Sequence, residues 1–200
     1  RVNLTVRPMG PGALLVTGVD DPAGWALGLR ALSVKGVIDV VPAAETVLVT
    51  GAVDALAEVR ARIAEVRPVP AGVGGTLIEI AVRYDGADVE QVARQLGWSV
   101  DQLVDVHTSG EYTAAFCGFA PGFAYLTGLP DALHLPRRAS PRTRVPAGSV
   151  AIAGGYAAVY PRSSPGGWHL LGTAEVALFD PASDHPALVS PGDRVKFVAT

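Results

Sequence analysis

A chain of 200 residues, 49% hydrophobic and only 18% charged, with a mean hydropathy of +0.32, favours a packed globule of one large or two small domains. The formal net charge of −3 argues against a general attraction to nucleic acid. No window approaches the roughly 18 consecutive apolar residues of a membrane-spanning helix, and a single cysteine, Cys117, excludes an internal disulfide framework. Residues 1–11 lack the apolar run of a signal peptide, so a cytoplasmic location in a reducing compartment is expected. The apolar balance implies either an unusually full core or apolar surface reserved for a partner.

In chain order, residues 2–7 and Ala13–Thr17 read as strands around a Gly10-Pro11-Gly12 turn. Residues 22–32 read as a helix entered through Asp20-Asp21, and residues 37–41 and 46–50 as short strands. Asp54 is expected to cap an amphipathic helix with Leu56, Val59, Ile63 and Val66 on one face and a Glu58–Arg62 pair on the other. This order predicts a small α/β sandwich over residues 1–75, ending in the glycine-rich stretch Pro70-Ala71-Gly72-Val73-Gly74-Gly75. Residues 76–82 read as a strand. A helical pair follows at 88–107: Val89, Val92 and Leu96 sit at helical spacing before Gly97, and Ser99-x-x-Gln102 is a capping box. Beyond Tyr112, Gly and Pro punctuate short β-rich runs at 113–118, 149–153, 157–160, 168–171, 176–179 and 194–198, which predicts a β-barrel or sandwich over residues 76–200. Gly154-Gly155 is placed for a tight hairpin. The fold class expected is α+β.

Most candidate chemistry reduces to structure. The helical pair has a helix-turn-helix outline, but its second helix carries Asp101 and Asp105 and no Lys or Arg, which would repel phosphate. Cys117 lies in an apolar run with no local base, as expected of a structural thiol. Gly72-Val73-Gly74-Gly75 lacks the Gly-Lys-Ser/Thr ending of a phosphate loop. His107, His134, His169 and His185 lack metal-ligand spacing, so no metal site is expected. His169 follows Pro165-Gly166-Gly167-Trp168 at a strand start, a place from which a histidine reaches either an open cleft or a half-buried structural position.

The strongest signal is electrostatic. Between Tyr112 and Phe179 five arginines (Arg137, Arg138, Arg142, Arg144 and Arg162) stand against Asp131 and Glu175, a local +3 in an acidic protein. Pro136, Pro141 and Pro146 stiffen the segment that carries four of them, lowering the entropic cost of holding an anion. The segment reads either as an anion- or partner-recognition loop or as a solvated basic one.

Several motifs occur in order: Gly118-Phe119-Ala120-Pro121-Gly122-Phe123-Ala124-Tyr125-Leu126, Pro136-Arg137-Arg138, Pro141-Arg142-Thr143-Arg144-Val145-Pro146-Ala147-Gly148, Ile152-Ala153-Gly154-Gly155, Ser164-Pro165-Gly166-Gly167-Trp168 and Leu178-Phe179-Asp180-Pro181. Together they resemble the B-subunit family of bacterial 5-oxoprolinase, also called the KipI or allophanate hydrolase subunit 1 family. The resemblance implies a cyclophilin-like β-barrel after a small α/β domain. It implies one component of an ATP-dependent 5-oxoprolinase that opens the lactam of 5-oxoproline to L-glutamate. The implied partners are the related C subunit and the A subunit of that enzyme, with ATP bound with or by them. Alternatives within the family are a non-catalytic module that inhibits a histidine kinase and a carboxyltransferase-type subunit for urea derivatives, although no biotin-attachment lysine is visible. Many relatives carry Gln-Thr where this chain has Tyr156-Ala157. From the converging charge, aromatics and glycines, Arg142 or Arg144 is expected to pair with a small anionic substrate at the barrel mouth. His169 is expected to donate or position a proton there, with Tyr125, Tyr160 and Trp168 as walls.

Overall fold

The computed structural model describes residues 4–70 and 75–200, so the turn at Gly72-Val73-Gly74 and the start of the first expected strand lie outside the described residues. The chain divides into two compact units, Arg1–Gly74 and Gly75–Thr200.

The first unit contains β1 (Thr5–Pro8), β2 (Ala13–Thr17), α1 (Pro22–Ala31), β3 (Val37–Pro42), β4 (Thr46–Gly51) and α2 (Val53–Ala61), then a 3-10 turn at Ile63–Glu65. Its sheet is antiparallel in the order β1-β2-β4-β3. Alternation in β2 and β4 turns Leu14, Val16, Val47 and Val49 toward Trp25, Ala26 and Leu29 of α1 and Ala55, Leu56 and Val59 of α2. Pro22 opens α1 and Asp21 caps it, accepting from the Gly24 N–H at 3.0 Å. Asp54 does not cap α2: the N-cap is Ala52, without a side-chain bond, and Asp54 lies inside the first turn, where its charge still complements the helix dipole. The edge strand β3 is closed to pairing at Val40, whose N–H donates to Asp39 and whose carbonyl accepts from Arg30.

The second unit begins with β5 (Leu77–Val82), followed by α3 (Val89–Leu96) and α4 (Val100–Thr108). Gly97 ends α3 in the left-handed conformation (φ 72°), and the Ser99–Gln102 capping box opens α4 with both reciprocal bonds made. Then come β6 (Tyr112–Cys117), β7 (Ala124–Thr127), β8 (Arg142–Val145), β9 (Ser149–Ala153), β10 (Tyr156–Val159), β11 (Ser164–Gly166), β12 (His169–Thr173) and β13 (Arg194–Ala199). Seven strands form one sheet in the order β12-β9-β10-β7-β6-β13-β5, and reciprocal backbone bonds between Arg83 and Thr173 close it into a barrel at one end. β5 and β13 pair in parallel over their whole length. Gly154 and Gly155 link β9 to β10, with Ala153 and Tyr156 paired across the turn. Residues 176–179, expected as a strand, form only an isolated bridge between Phe179 and Ala187. Conversely, β8 and β11 form a separate two-stranded ribbon in segments whose prolines and arginines read as loop.

Strands β9, β10 and β12 are buried on both faces. Val150, Ile152, Ala157, Val159 and Leu171 point into the barrel core with Phe197 and Tyr112. Ala151, Ala153, Ala158, Tyr160, Trp168 and Leu170 form a second cluster with Phe123 and Val145. Cys117 is half-buried, with its Sγ 3.7 Å from the Val189 carbonyl, and burial pushes its thiol up, as expected of a structural thiol.

His107 is fully buried, stacked on Phe197 at 4.8 Å, with Nδ1 2.7 Å from the Tyr84 hydroxyl. Burial depresses its pKa from 6.5 to about 3. Above pH 6.5 neither the folded nor the unfolded state carries this proton. Below it the unfolded chain takes up a proton that the native core refuses, so stability is lost as pH falls toward 3. Relative to His107→Phe, the wild type is expected to lose up to about 1.4 kcal/mol per pH unit across this window, read from urea denaturation at stepped pH.

Candidate functional site

The second apolar cluster of the barrel unit and the proline-braced arginine segment meet around a buried carboxylate. Asp88, in the turn before α3, is 1% exposed and accepts three hydrogen bonds: Leu170 N–H at 2.8 Å, Arg138 Nη1 at 2.6 Å and Arg142 Nη2 at 2.6 Å. Burial alone would raise this carboxyl. The Arg142 and Leu170 hydrogen bonds, with the charges of Arg142 and Arg138, outweigh it and hold the group below the usual carboxylate range. The Asp88 N–H also donates to the Leu170 carbonyl at 3.0 Å, so one residue occupies both polar groups of Leu170.

Around this anchor the 136–142 segment touches the Gly-Gly-Trp-His turn. The Arg138 N–H donates to the Gly167 carbonyl at 2.8 Å, and His169 Nε2 lies 2.9 Å from the Pro136 carbonyl. Two cavities flank the contact. The first, of about 80 Å³, is aromatic: Phe119, Phe123, Tyr125, Tyr160 and Trp168 line it, with Arg137 and Pro165–Gly167 at its rim. Its rings meet edge to face, Phe123 lying 5.3 Å from Tyr160 and 5.7 Å from Trp168. Gly166 is required here, because a Cβ would collide with the Tyr160 hydroxyl. The second cavity, a more open cleft of about 450 Å³, is lined by Gln91 and Gln95 of α3, by Pro136–Ser140 and by His169. Arg137 lines both.

Tyr125, Tyr160 and Trp168 therefore share one pocket, whereas His169 lines the neighbouring cleft. Strand alternation is the reason: adjacent residues of an extended chain point to opposite faces, which sends Trp168 to the outer cluster and pairs His169 with Ile152 of the barrel core. Arg142 is drawn inward to Asp88. Arg144 bonds Ser163 at 3.1 Å and lines a third cleft with Asp85, Pro146 and Thr173.

Three residues at this site were not singled out in the sequence. Asp88 reads there as an ordinary helix-start acid. Arg137 reads as one arginine of four, yet among the described residues it has no ion-pair partner. Phe119 lies in the Gly118–Leu126 motif and adopts φ 66° with the Ala120 N–H bonded to the Gly118 carbonyl at 2.7 Å, a strained γ-turn that leaves the residue 59% exposed at the pocket rim. The flanking Gly118 and Gly122, with Pro121, are the available signal of an unusual turn.

A seven-stranded barrel following a ββαββα unit defines a carboxyltransferase-type fold, and the family described as carboxyltransferase domain, subdomain C and D, matches residues 5–189. The chain belongs to this family, within the branch of the 5-oxoprolinase B subunit to which the motifs point. It is 42% identical to the 5-oxoprolinase B subunit of Escherichia coli O157:H7 over 87% of this chain and 83% of that protein. Over 61% of this chain it is 47% identical to the protein of the same description from Bacillus subtilis, of which the match spans 52%, and over 62% of this chain 47% identical to that from Haemophilus influenzae, of which the match spans 60%. Among solved structures, TTHA0988 superposes with a TM-score of 0.82 at 33% identity, covering 98% of this chain and 40% of that one. A Pyrococcus horikoshii protein, PH0987, superposes at 0.61 with 34% identity, covering 98% and 97%. Kluyveromyces lactis urea carboxylase shares the fold (TM-score 0.71 at 16% identity), covering 98% of this chain and 22% of that one.

Asp88→Asn keeps the shape of the anchor but leaves two guanidinium groups facing a neutral amide. A stability loss of about 3–5 kcal/mol is expected by chemical denaturation, whereas Arg144→Ala, outside the triad, leaves the midpoint nearly unchanged.

Proposed function

We propose that this chain works as one component of an ATP-dependent 5-oxoprolinase. Together with the related C subunit and the A subunit of that enzyme, it opens the lactam of 5-oxoproline to L-glutamate. The observation that carries this reading is 42% identity sustained over 83% of the Escherichia coli 5-oxoprolinase B subunit. An unstrained amide resists water because its nitrogen lone pair is delocalised into the carbonyl. Phosphorylating the amide oxygen at the expense of ATP removes that protection and makes the carbonyl carbon open to attack. Water then adds to the carbon, the ring C–N bond breaks as a proton passes to the nitrogen, and a second water cleaves the acyl phosphate left behind, releasing phosphate and the side-chain carboxylate of glutamate. ATP is met with the partner subunits.

On this chain the proposed roles fall to the residues around the Asp88 anchor. Arg137, held between two cavities and unpaired among the described residues, is the guanidinium placed to meet the substrate carboxylate. Arg142 acts through Asp88 by fixing the segment that presents Arg137. His169 positions a proton beside the lactam. The aromatic pocket of Tyr125, Tyr160 and Trp168 excludes water from one side. Arg144 is set to hold an anion in the separate cleft near the barrel seam.

Co-purification with the products of the adjacent genes and a coupled measurement of ATP hydrolysis and glutamate release tests the assembly. Hydrolysis is expected only with 5-oxoproline and every component present, and turnover that persists without this chain would refute the proposal. Within the complex, Arg137→Ala and His169→Ala are each expected to lower kcat/KM for 5-oxoproline by about tenfold to a hundredfold. Wild-type values in both would remove these assignments.

A further inference from the structure

Tyr160 carries a polar group that the fold leaves unused. Tyr84 and Tyr112, packed with the barrel core, each hold the hydroxyl 2.7 Å from a His107 atom, Nδ1 and the carbonyl oxygen respectively. Tyr160 is 2% exposed, yet its hydroxyl has no hydrogen-bond partner among the described residues. Unlike His169 Nδ1, this hydroxyl is not sealed from solvent. Its outlet is the aromatic cavity of about 80 Å³, which both Tyr160 and Gly166 line. The hydroxyl stands over Gly166, where any Cβ would displace it. A polar group left unbonded at the wall of a cavity is costly without an occupant.

The surroundings decide what that occupant offers. Burial pushes the Tyr160 phenol up, so it keeps its proton and can donate. Arg137 at the rim is a fixed cation with no ion-pair partner among the described residues, and its field favours an electron-rich atom over an N–H at the hydroxyl. The same guanidinium calls for a carboxylate at the mouth. Between the two, Phe123, Tyr125 and Trp168 present apolar ring surface. The volume equals that of roughly three waters at ~30 Å³ each, the space of one small ring. Together these demands describe a compact ring with an oxygen acceptor on one side and a carboxylate on the other.

We propose that Tyr160 is a specificity-determining residue, whose hydroxyl donates to the carbonyl oxygen of a small ring held in the aromatic cavity. Arg137 holds the carboxylate of that ring at the rim, and the side chains of Phe123 and Trp168 pack against its methylene carbons. The inference deepens the oxoprolinase reading and rests on it for the identity of the ring, 5-oxoproline. It turns Tyr160 from a wall of the pocket into the group that separates an oxo acid from a saturated ring acid of the same shape. A site with a buried donor rejects a ligand that lacks the acceptor, because the donor is then left unpaired. A carbonyl oxygen has two lone pairs, so the bond to Tyr160 leaves one free for the phosphoryl group.

Calorimetric titration of the full chain tests the role with three ligands of one shape. L-5-oxoproline carries carbonyl, N–H and carboxylate, 3-oxocyclopentanecarboxylate keeps the carbonyl and the carboxylate, and cyclopentanecarboxylate keeps the carboxylate alone. Wild-type protein should bind the two oxo acids at least about tenfold more tightly than cyclopentanecarboxylate. Tyr160→Phe should bring both down to the affinity of cyclopentanecarboxylate and leave that of cyclopentanecarboxylate unchanged. Because the hydroxyl is unbonded in the free protein, the variant should also keep the wild-type denaturation midpoint. Equal wild-type binding of the keto acid and its parent, no binding of either oxo acid, or an oxo-acid preference that survives Tyr160→Phe overturns the assignment. A lowered midpoint would show the hydroxyl already employed by the fold and overturns it too. The three-ligand comparison uses wild-type protein, so it does not depend on the variant folding. An assembly with 5-oxoproline-dependent ATPase whose KM is unmoved by Tyr160→Phe would sink this inference alone. An oxo-acid preference abolished by Tyr160→Phe, in an assembly without that ATPase, would sink the oxoprolinase reading and leave Tyr160 as the reader of the carbonyl.

Discussion

A single buried carboxylate organises the end of the barrel where the arginine segment docks. Asp88 joins the turn before α3 to β12 through both polar groups of Leu170 and to the arginine segment through two guanidinium groups. Removing a carboxylate from water costs several kcal/mol, and here three donors at 2.6–2.8 Å offset it. The arrangement fixes where a surface-seeking, positively charged segment can lie. Pro136–Arg142 is tied at Arg138 and Arg142, so Arg137 between these ties and the proline is left to face outward with little freedom.

The double burial of β9, β10 and β12 divides the rest of the work. One face fills the barrel and the other carries the aromatic cluster beside the β8–β11 ribbon, so two neighbouring residues, Trp168 and His169, serve different cavities. Arg137 is the element common to both. The strained turn at Phe119 places an exposed ring over the aromatic cavity against its own backbone preference, a cost of about 1–3 kcal/mol that the surrounding packing must cover.

Local chemistry was legible in the sequence, and remote pairing was not. The Ser99–Gln102 box, the Gly97 stop, the Asp21 cap with Pro22 and the Gly154-Gly155 hairpin all depend on residues within a few positions of one another, and all form. Punctuation by Gly and Pro made a barrel or a sandwich legible, and the family resemblance chose the barrel. β8 was hidden because Pro141 and Pro146 frame a four-residue strand rich in arginine, and its partner β11 contains Pro165 and Gly166. The Asp88 anchor was beyond reach because its partners stand 50, 54 and 82 positions away. The likeness of the arginines also concealed that Arg138 and Arg142 are consumed internally while Arg137 is not.

The pairing of β5 with β13 bears on how the protein is made. The first and last strands of the barrel unit lie side by side, and the contact is entered by a bond between Thr76 and Asp193, 117 positions apart. Until β13 leaves the ribosome, β5 has no ladder partner and the β6 edge stays open. At ordinary elongation rates the barrel therefore waits roughly ten seconds after its first strand emerges. During that interval Ile78, Ile80 and Val82 are apolar strand residues without a sheet to join. Nascent chains stalled short of residue 194 are thus the forms of this protein with the greatest need of a chaperone.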